Sequence, residues 1–488
     1  MSATETVMEL GAFIAGRAES PSEPVQEVRD PATQRVIGRV TASSAEGVDR
    51  AVRAAREAFR GWSARGIAER GEIVGCAAHA IRAAVDDLAP LLTAEQGKPL
   101  REAQIELNRA AETLEHYAGL AKELRGAFVL GLDPGVNGQV LRRPLGVVGA
   151  IVPWNFPTTL LANKLGPALV AGNTVVAKPA DTTPLTTLRV AALMHDAGLP
   201  AGVFNVVAGH GADAGEALVT HPLVRKVAFT GSTPTGRRIM SLAAADNKRL
   251  TLELGGSDPM IVLEDADLAR AASAASMGRF FNCGQACLAV KRLYLAESVA
   301  DQVIDAVVQK ARRLTVGRGT DPRVQLGPLH SERQRAAVEE QLRRTLERGG
   351  EVLTGGGRPE NGELSHGWFH EPTIVLEPPH DSPMATEEVF GPVLPIWRVR
   401  DLDQAIEYAN ASPFGLGSSI WTSDLDAAAE AAERLDCGYT WINSATKVYD
   451  ELPFGGVKAS GFGKEHGSEA FDYYTDQKSV VVRTRARE

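Results

Sequence analysis

The sequence predicts an α/β protein built from two doubly wound domains, and three observations support this prediction. The chain has 488 residues, which is too long for one ordinary hydrophobic core. Between residues 147 and 254, short apolar runs alternate with helix-like stretches, and a second alternation follows Pro259. Such alternation is typical of parallel sheets with helices on both faces. The Val-rich run from Lys478 to Arg485 predicts an exposed strand, which could pair with another subunit.

The predicted elements follow from periodicity and from end signals. A helix is predicted over residues 45–62, where apolar residues recur at helical spacing, and two or three more helices within 67–125. A helix from Pro184 to Ala197 begins with proline and stops before Gly198. The predicted strands are 147–152, 174–177, 203–207, 227–230, 250–254, 260–263, 292–295, 373–376 and 394–398. Further helices are predicted at 298–314, 331–348 and 424–434.

Composition excludes several classes of protein. The formal net charge of -9 argues against nucleic-acid binding and against an anionic membrane surface. The first five residues lack the pattern of a secretory signal, and no segment is apolar and long enough to span a bilayer. Four cysteines provide neither a disulfide framework nor zinc-type pairing, so we expect no metal site and a cytoplasmic protein.

Two side chains are candidates for covalent and acid–base chemistry. Cys287 follows a glycine-containing turn, and it is either a small buried apolar residue or a nucleophile, which needs an exposed site that lowers its pKa. Glu253 lies in an apolar strand that ends in Gly255 and Gly256. It is either an edge or salt-bridge residue, or a general base whose pKa is raised by apolar surroundings.

Other candidates lie where strands end. Asn155 sits in a Pro-Trp-Asn-Phe-Pro loop directly after a predicted strand, at a position where open α/β sheets bind ligands; a rigid structural turn is the alternative. Lys178 ends another strand and could reach a ribose or a phosphate, although a solvated lysine is more common. The glycine-rich stretch 209–215 also follows a strand, but its spacing departs from the usual dinucleotide fingerprint.

Together these segments resemble the aldehyde dehydrogenase superfamily. The similarity extends from about residue 25 to the end of the chain, and its diagnostic stretches occur in the family's order: 153–157, 252–256 and 281–287, with further matches at 178–179, 229–232, 387–392, 453–456 and 458–467. The resemblance implies an aldehyde dehydrogenase-like fold with an NAD-binding domain (1–125 and 146–255), a catalytic domain (256–455) and a small β oligomerisation element (126–145 and 470–488). It also implies a homodimer or homotetramer.

The resemblance assigns roles in catalysis. Cys287 would attack the aldehyde to form a thiohemiacetal, with Asn155 and the Cys287 backbone N–H stabilising the oxyanion. Hydride transfer would leave a thioester, which water activated by Glu253 would hydrolyse. Glu465 would relay protons behind Glu253; a surface salt bridge is its alternative. The presence of Glu253 argues against acyl transfer to coenzyme A. An intact site argues against a non-catalytic structural relative, and the cofactor positions argue against a redox-free thiol esterase.

The resemblance also assigns binding residues. The cofactor positions are Trp154, Lys178, Asp181, Gly211, Phe229, Gly231, Ser232, Leu254, Glu388 and Phe390. Because an acidic Asp181 would repel a 2′-phosphate, NAD is expected, with NADP as a second option. The substrate positions are Phe156, Leu160, Asn163, Leu288 and Phe454.

The expected substrate is a small to medium aliphatic or aromatic aldehyde. Asn163 stands where succinic-semialdehyde enzymes often carry arginine, which argues against a carboxylate-bearing substrate. The Ser257-Asp258-Pro259 sequence resembles some semialdehyde enzymes, so that alternative stays open. Lys447 could supply a positive charge, although solvent exposure is expected for it.

Overall fold

The structure is a computed structural model that describes residues 7–360 and 362–484. The predicted features at residues 1–5 and at Arg485, and the last residues of the proposed oligomerisation element, lie outside the described residues. The chain up to residue 144 forms β1 (Met8–Leu10), β2 (Phe13–Ile14), β3 (Arg17–Ala18), β4 (Val25–Arg29), β5 (Val36–Thr41), α1 (Ala45–Ser63), α2 (Ile67–Ala83), α3 (Val85–Gln96), α4 (Leu100–Gly119), β6 (Ala127–Asp133) and β7 (Val136–Pro144).

The next segment alternates strands and helices: β8 (Val147–Ile151), α5 (Pro157–Ala171), β9 (Thr174–Lys178), α6 (Leu185–Asp196), β10 (Phe204–Val206), α7 (Glu216–Thr220), β11 (Val224–Thr230), α8 (Thr233–Ala244) and β12 (Arg249–Glu253). The remainder comprises β13 (Asp258–Val262), α9 (Leu268–Phe280), β14 (Val290–Ala296), α10 (Ala300–Arg312), α11 (Glu332–Leu346), β15 (Glu351–Thr354), β16 (Thr373–Leu376), α12 (Pro383–Thr386), β17 (Val393–Val399), α13 (Leu402–Asn410), β18 (Phe414–Gly415), β19 (Gly417–Trp421), α14 (Leu425–Arg434), β20 (Tyr439–Ile442), β21 (Val457–Lys458), β22 (Gly461–Phe462), α15 (Ala470–Tyr474) and β23 (Thr475–Arg483).

The first large sheet has the order β22-β12-β11-β8-β9-β10-β2-β3, and β12 through β10 are parallel. From β8 the chain adds β9 and β10 on one side of the sheet and then β11 and β12 on the other side, so the strand order reverses between β8 and β11. Apolar side chains of α2 to α6 cover one face of this sheet, and those of α1, α7 and α8 cover the other. The predicted doubly wound arrangement is therefore confirmed, and its ligand crevice is expected at the carboxyl ends of β8 and β11.

The second large sheet has the order β15-β16-β17-β14-β13-β19-β20, with only β15 antiparallel to its neighbour. Helices α9 to α11 cover one face, while α13 and α14 cover the other. β12 ends at Glu253, and β13 begins five residues later at Asp258. The carboxyl edge of the first sheet therefore faces the amino edge of the second, and the candidate site lies between them.

A third sheet has the order β23-β7-β6 and leaves large apolar side chains exposed, including Phe128, Leu130 and Val481. β23 pairs antiparallel with β7 of the same chain along its whole length. Within the described residues β23 is an edge strand with β7 on one side, so pairing of its other edge with another subunit stays a prediction. Within the described ranges, every helix is too short or too polar to cross a membrane.

Candidate active site

Glu253 is the last residue of β12 and is buried. Its carboxyl oxygen Oε1 has no hydrogen-bond partner among the described residues. Burial raises the pKa of Glu253 well above its usual range, and the nearby charge of Glu465 raises it further. The sequence left an edge or salt-bridge residue as the alternative, but the carboxyl group is buried and forms no ion pair in the described chain. A carboxylate whose pKa is raised is a stronger base, which suits it to accept a proton.

Glu465 lies behind Glu253 in a buried ion pair. Its Oε1 is 2.6 Å from Lys164 Nζ, and its Oε2 accepts a hydrogen bond from Asn163 Nδ2 at 3.2 Å. Lys164 also donates to Thr230 Oγ1 at 2.6 Å. The surface salt bridge considered for Glu465 is thus replaced by a buried one. Asn163, a predicted substrate residue, instead points its amide at Glu465.

Cys287 lies just before β14 and only partly reaches the surface. Burial raises the pKa of its thiol to about 12; the Lys291 charge opposes this shift, and the Glu253 charge adds to it. The sequence analysis required a site that lowers the pKa of this thiol, but the surroundings of Cys287 raise it. The physical reason is that the thiol is desolvated, while the nearby ammonium group is already paired.

Lys291 is that ammonium group, and the sequence analysis missed it. Its Nζ donates to the carbonyl oxygens of Cys287 and Gly256 and pairs with Glu388 Oε1, each at 2.7 Å. Glu388 also accepts from the Gly256 N–H at 3.0 Å. The predicted cofactor residue Glu388 thus lies against the loop that connects Glu253 to β13, and Lys291 joins this loop to the nucleophile.

Asn155 lies after β8 and is buried. Its side-chain Nδ2 donates to the Gln285 carbonyl at 3.0 Å, two residues before Cys287. Its own carbonyl accepts from Lys98 Nζ at 2.7 Å and from Asn282 Nδ2 at 3.0 Å. The predicted oxyanion residue is therefore held next to the nucleophile loop, and one of its two amide hydrogens remains available.

The nucleophile loop contains an unusual turn. Asn282 and Cys283 both have positive φ, at 50° and 55°. The Asn282 N–H donates to Glu102 Oε2 at 2.8 Å, which stabilises this turn. Burial raises the pKa of Glu102 to about 7. Glu102 and Lys98 therefore hold the loops of Cys287 and Asn155, and the sequence analysis did not single them out. No local signal marked them, because residues 95–106 are rich in charged and polar residues and only the folded structure buries these two.

The cofactor side of the site lies at the carboxyl ends of β8, β9 and β11. Lys178 ends β9, and its buried Nζ has one acceptor in the described structure, the Pro179 carbonyl at 3.0 Å. Burial lowers the pKa of Lys178. Asp181 remains partly exposed and pairs with His210 Nδ1 at 2.8 Å. A buried ammonium group with donors to spare and an accessible carboxylate fit the hydroxyl groups of a ribose.

Trp154 and Phe390 form an aromatic corner of this crevice. Their rings meet edge to face with centroids 5.6 Å apart. On its other side Trp154 stacks on His330, at 4.4 Å and 10° between the planes. Lys291 Nζ lies 5.6 Å from the Phe390 ring centroid. The structure therefore brings these two predicted cofactor residues together beside the Glu388 pair.

The remaining cofactor positions lie around the end of β11. A Cβ on Gly231 would come within 2.5 Å of the Phe229 ring, so only glycine fits there. Ser232 caps α8 by accepting from the Thr235 N–H, and that helix N-terminus suits an anion such as pyrophosphate. Leu254 packs against Gly236 of the same helix. Gly211 begins a single π-type turn, where an added Cβ would meet open space.

The predicted substrate residues separate into two groups. In the first group, Phe156 stacks on Phe281 with ring centroids 6.1 Å apart. Leu160 and Leu288 are half-buried, and each lies close in sequence to a catalytic candidate, Asn155 or Cys287. Phe454 is buried, and its backbone exchanges two hydrogen bonds of 2.7 Å with Glu465. Phe454 therefore helps to position Glu465. Lys447 is exposed, as expected.

Comparison with known proteins identifies the family. The sequence model described as "Aldehyde dehydrogenase family" matches residues 18–480, and the chain belongs to this family. It is 39% identical to betaine aldehyde dehydrogenase of Bacillus subtilis, covering 97% of both chains. It is 41% identical to phenylacetaldehyde dehydrogenase of Pseudomonas fluorescens, covering 94% of this chain and 93% of that one. The crystal structure of PnpE from Pseudomonas sp. WBC-3 superposes with a TM-score of 0.96 at 40% identity, covering 99% of each chain. PnpE has also been crystallised in complex with nicotinamide adenine dinucleotide.

Proposed function

We propose that this protein oxidises an aldehyde to the carboxylic acid, with NAD as the preferred hydride acceptor. The observation that supports this most is geometric: Lys291 Nζ donates to the carbonyl oxygens of both Cys287 and Gly256, which joins the nucleophile to the loop that follows Glu253. A nucleophile and a base thus meet between the two sheets. Asn155, an amide donor, is bonded to the same loop as Cys287.

In the first half of the reaction, the Cys287 sulfur adds to the carbonyl carbon of the aldehyde as the C–O π bond breaks, and the thiol proton passes to solvent. The Asn155 amide and the Cys287 backbone N–H stabilise the resulting oxyanion, which lowers the barrier to addition. When bound, NAD accepts the hydride that converts this thiohemiacetal into a thioester. Trp154, Phe390 and Glu388 would hold the nicotinamide end, while Lys178, Asp181 and Ser232 would hold the remainder.

In the second half, Glu253 takes a proton from water, and the water oxygen attacks the thioester carbon. The C–S bond breaks, the acid leaves, and the Cys287 sulfur takes up a proton, which regenerates the thiol. Glu465 and Lys164 would pass the proton from Glu253 towards solvent. Aldehyde, NAD⁺ and water thus yield carboxylic acid, NADH and one proton.

NAD is favoured over NADP by Asp181, whose carboxylate would repel a 2′-phosphate. The substrate is a small to medium aliphatic or aromatic aldehyde. Asn163 is uncharged and directs its amide N–H to Glu465, so it offers no positive charge to a substrate carboxylate. Succinic semialdehyde remains the alternative substrate.

The test is NAD(P)H production by the purified protein with aliphatic aldehydes, aromatic aldehydes, betaine aldehyde and succinic semialdehyde. Cys287→Ser should abolish turnover, whereas the exposed Cys76→Ser should not change it. Glu253→Gln should release about one NADH per site and then stall as the thioester. Binding of NAD without turnover of any aldehyde would contradict the proposal. Turnover only with succinic semialdehyde would replace the substrate class.

The domain roles follow the same proposal. The first large sheet would bind the dinucleotide, and the second would supply the nucleophile. The exposed apolar sheet of β6, β7 and β23 would join copies into a dimer or tetramer, because such surfaces are unfavourable in water. Sedimentation of Leu130→Glu should then give a smaller species than the wild type.

A further inference from the structure

His330 lies between α10 and α11 and contacts four separate segments of the site. Its backbone N–H donates to Gln285 Oε1 at 2.8 Å. Its ring nitrogens meet the Gln96 carbonyl at 3.1 Å and the Thr182 hydroxyl at 2.6 Å. Its ring plane stacks on Trp154. None of the proposed chemical steps uses His330, although it is buried at the centre of these contacts.

The contacts define one state of the imidazole. The Gln96 carbonyl can only accept, so Nδ1 must carry the hydrogen. Nε2 is then free to accept from the Thr182 hydroxyl. Burial lowers the pKa of His330 to about 4, so the ring is neutral throughout the physiological range. His330 is therefore suited to orient its neighbours rather than to transfer protons.

We infer that His330 is a positioning residue that couples the dinucleotide crevice to the nucleophile loop. Thr182 directly follows Asp181 on the adenosine side, and Trp154 lines the nicotinamide side. Gln285 lies two residues before Cys287 and receives the Asn155 amide. The ring of His330 thus contacts both ends of the cofactor site, while its backbone N–H holds the loop that presents the thiol. This inference rests on the proposed function.

The test uses two variants of different severity. Thr182→Val removes a single donor from an exposed residue and preserves the fold, the stack on Trp154 and both remaining bonds of His330. His330→Phe keeps a stacking ring but removes both ring hydrogen bonds. His380→Phe is the matched control, because His380 stacks on Trp397 at 5.7 Å and 17°, away from the site.

Two measurements are made on each protein without aldehyde. Calorimetric titration gives the Kd for NAD. Mass spectrometry of the Cys287 peptide gives its rate of alkylation by iodoacetamide, with and without NAD. We expect Thr182→Val to weaken NAD binding about fivefold, as loss of one hydrogen bond implies. His330→Phe should weaken it about tenfold or more and also change the alkylation rate, while His380→Phe should match the wild type.

The inference is overturned if both site variants bind NAD like the wild type, or if His330→Phe changes binding while the alkylation rate stays constant. A purely structural role would lower thermal stability without changing the Kd for NAD and the alkylation rate of Cys287 together. If the wild type binds neither NAD nor NADP, the proposed function itself fails, which is a distinct result.

Discussion

The buried pair of Lys164 and Glu465 leads to a quantitative prediction. Glu465→Gln removes the negative charge 2.6 Å from an ammonium group whose side chain has no exposed surface. Breaking a buried pair by removing one partner costs about 3–5 kcal/mol, because the other charge is left without compensation. Adding Lys164→Met removes that charge. The double variant should then lose only about 1–2 kcal/mol, from hydrogen bonds to Thr230 and Asn163.

Urea unfolding at pH 7, followed by circular dichroism, measures these differences in the free energy of unfolding. Glu347→Gln is a suitable control, because Glu347 pairs with Arg343 on an exposed helix surface. Loss of this exposed pair should leave the urea midpoint of unfolding unchanged. A double variant no more stable than Glu465→Gln alone would refute the argument that the unpaired charge of Lys164 causes the loss of stability.

The same substitution has a catalytic consequence. Burial and the charge of Glu465 both raise the pKa of Glu253. Glu253 must be ionised to accept a proton, so activity falls as the pH falls through this raised pKa. Glu465→Gln should lower the pKa of Glu253 and move the acid limb of thioester hydrolysis to lower pH. An acid limb that stays in place would show that the two carboxyl groups do not interact.

Three further predictions concern separate parts of the molecule. With a thiol pKa of about 12, Cys287 without cofactor should be alkylated about tenfold faster per pH unit from pH 7 to 10. Gly461→Ala should destabilise the protein by about 2 kcal/mol or more, because φ is +116° and a Cβ would lie 1.9 Å from the Leu252 carbonyl oxygen. Asp181→Ser should improve the use of NADP relative to NAD, as measured by the ratio of kcat/KM.

Each of these has a contrasting outcome. A plateau in the alkylation rate near pH 8 would mean that the thiol is not desolvated. Gly61→Ala is the control for Gly461→Ala: this exposed glycine in α1 has nothing within 4 Å, so the change should stabilise the helix by about 0.5–1 kcal/mol. An unchanged cofactor ratio in Asp181→Ser would show that the Asp181 carboxylate does not discriminate against a 2′-phosphate.

Local sequence patterns predicted most of the secondary structure. The helix predicted at 45–62 forms at Ala45–Ser63, capped by Ser44, because its apolar residues recur at the helical period and a capping residue precedes them. The nine predicted strands appear within a few residues of their predicted bounds, whereas the sequence analysis did not predict six other strands of the two large sheets: β2, β3, β15, β19, β20 and β22. The partner of β23 could not be predicted in this way, because strand pairing depends on the path of the whole chain.

The sequence by itself determined the fold class, the family and the candidate roles of Cys287, Glu253 and Asn155. Each of these three residues lies in a short motif of consecutive residues, which can be recognised without the fold. Only the tertiary structure decided how these groups are paired and how they titrate. Lys164 and Glu465 are 301 residues apart in sequence. Lys291 meets Glu388 across 97 residues, and His330 meets Gln96 across 234. Burial and long-range charge set a pKa, and both arise only when distant segments pack together.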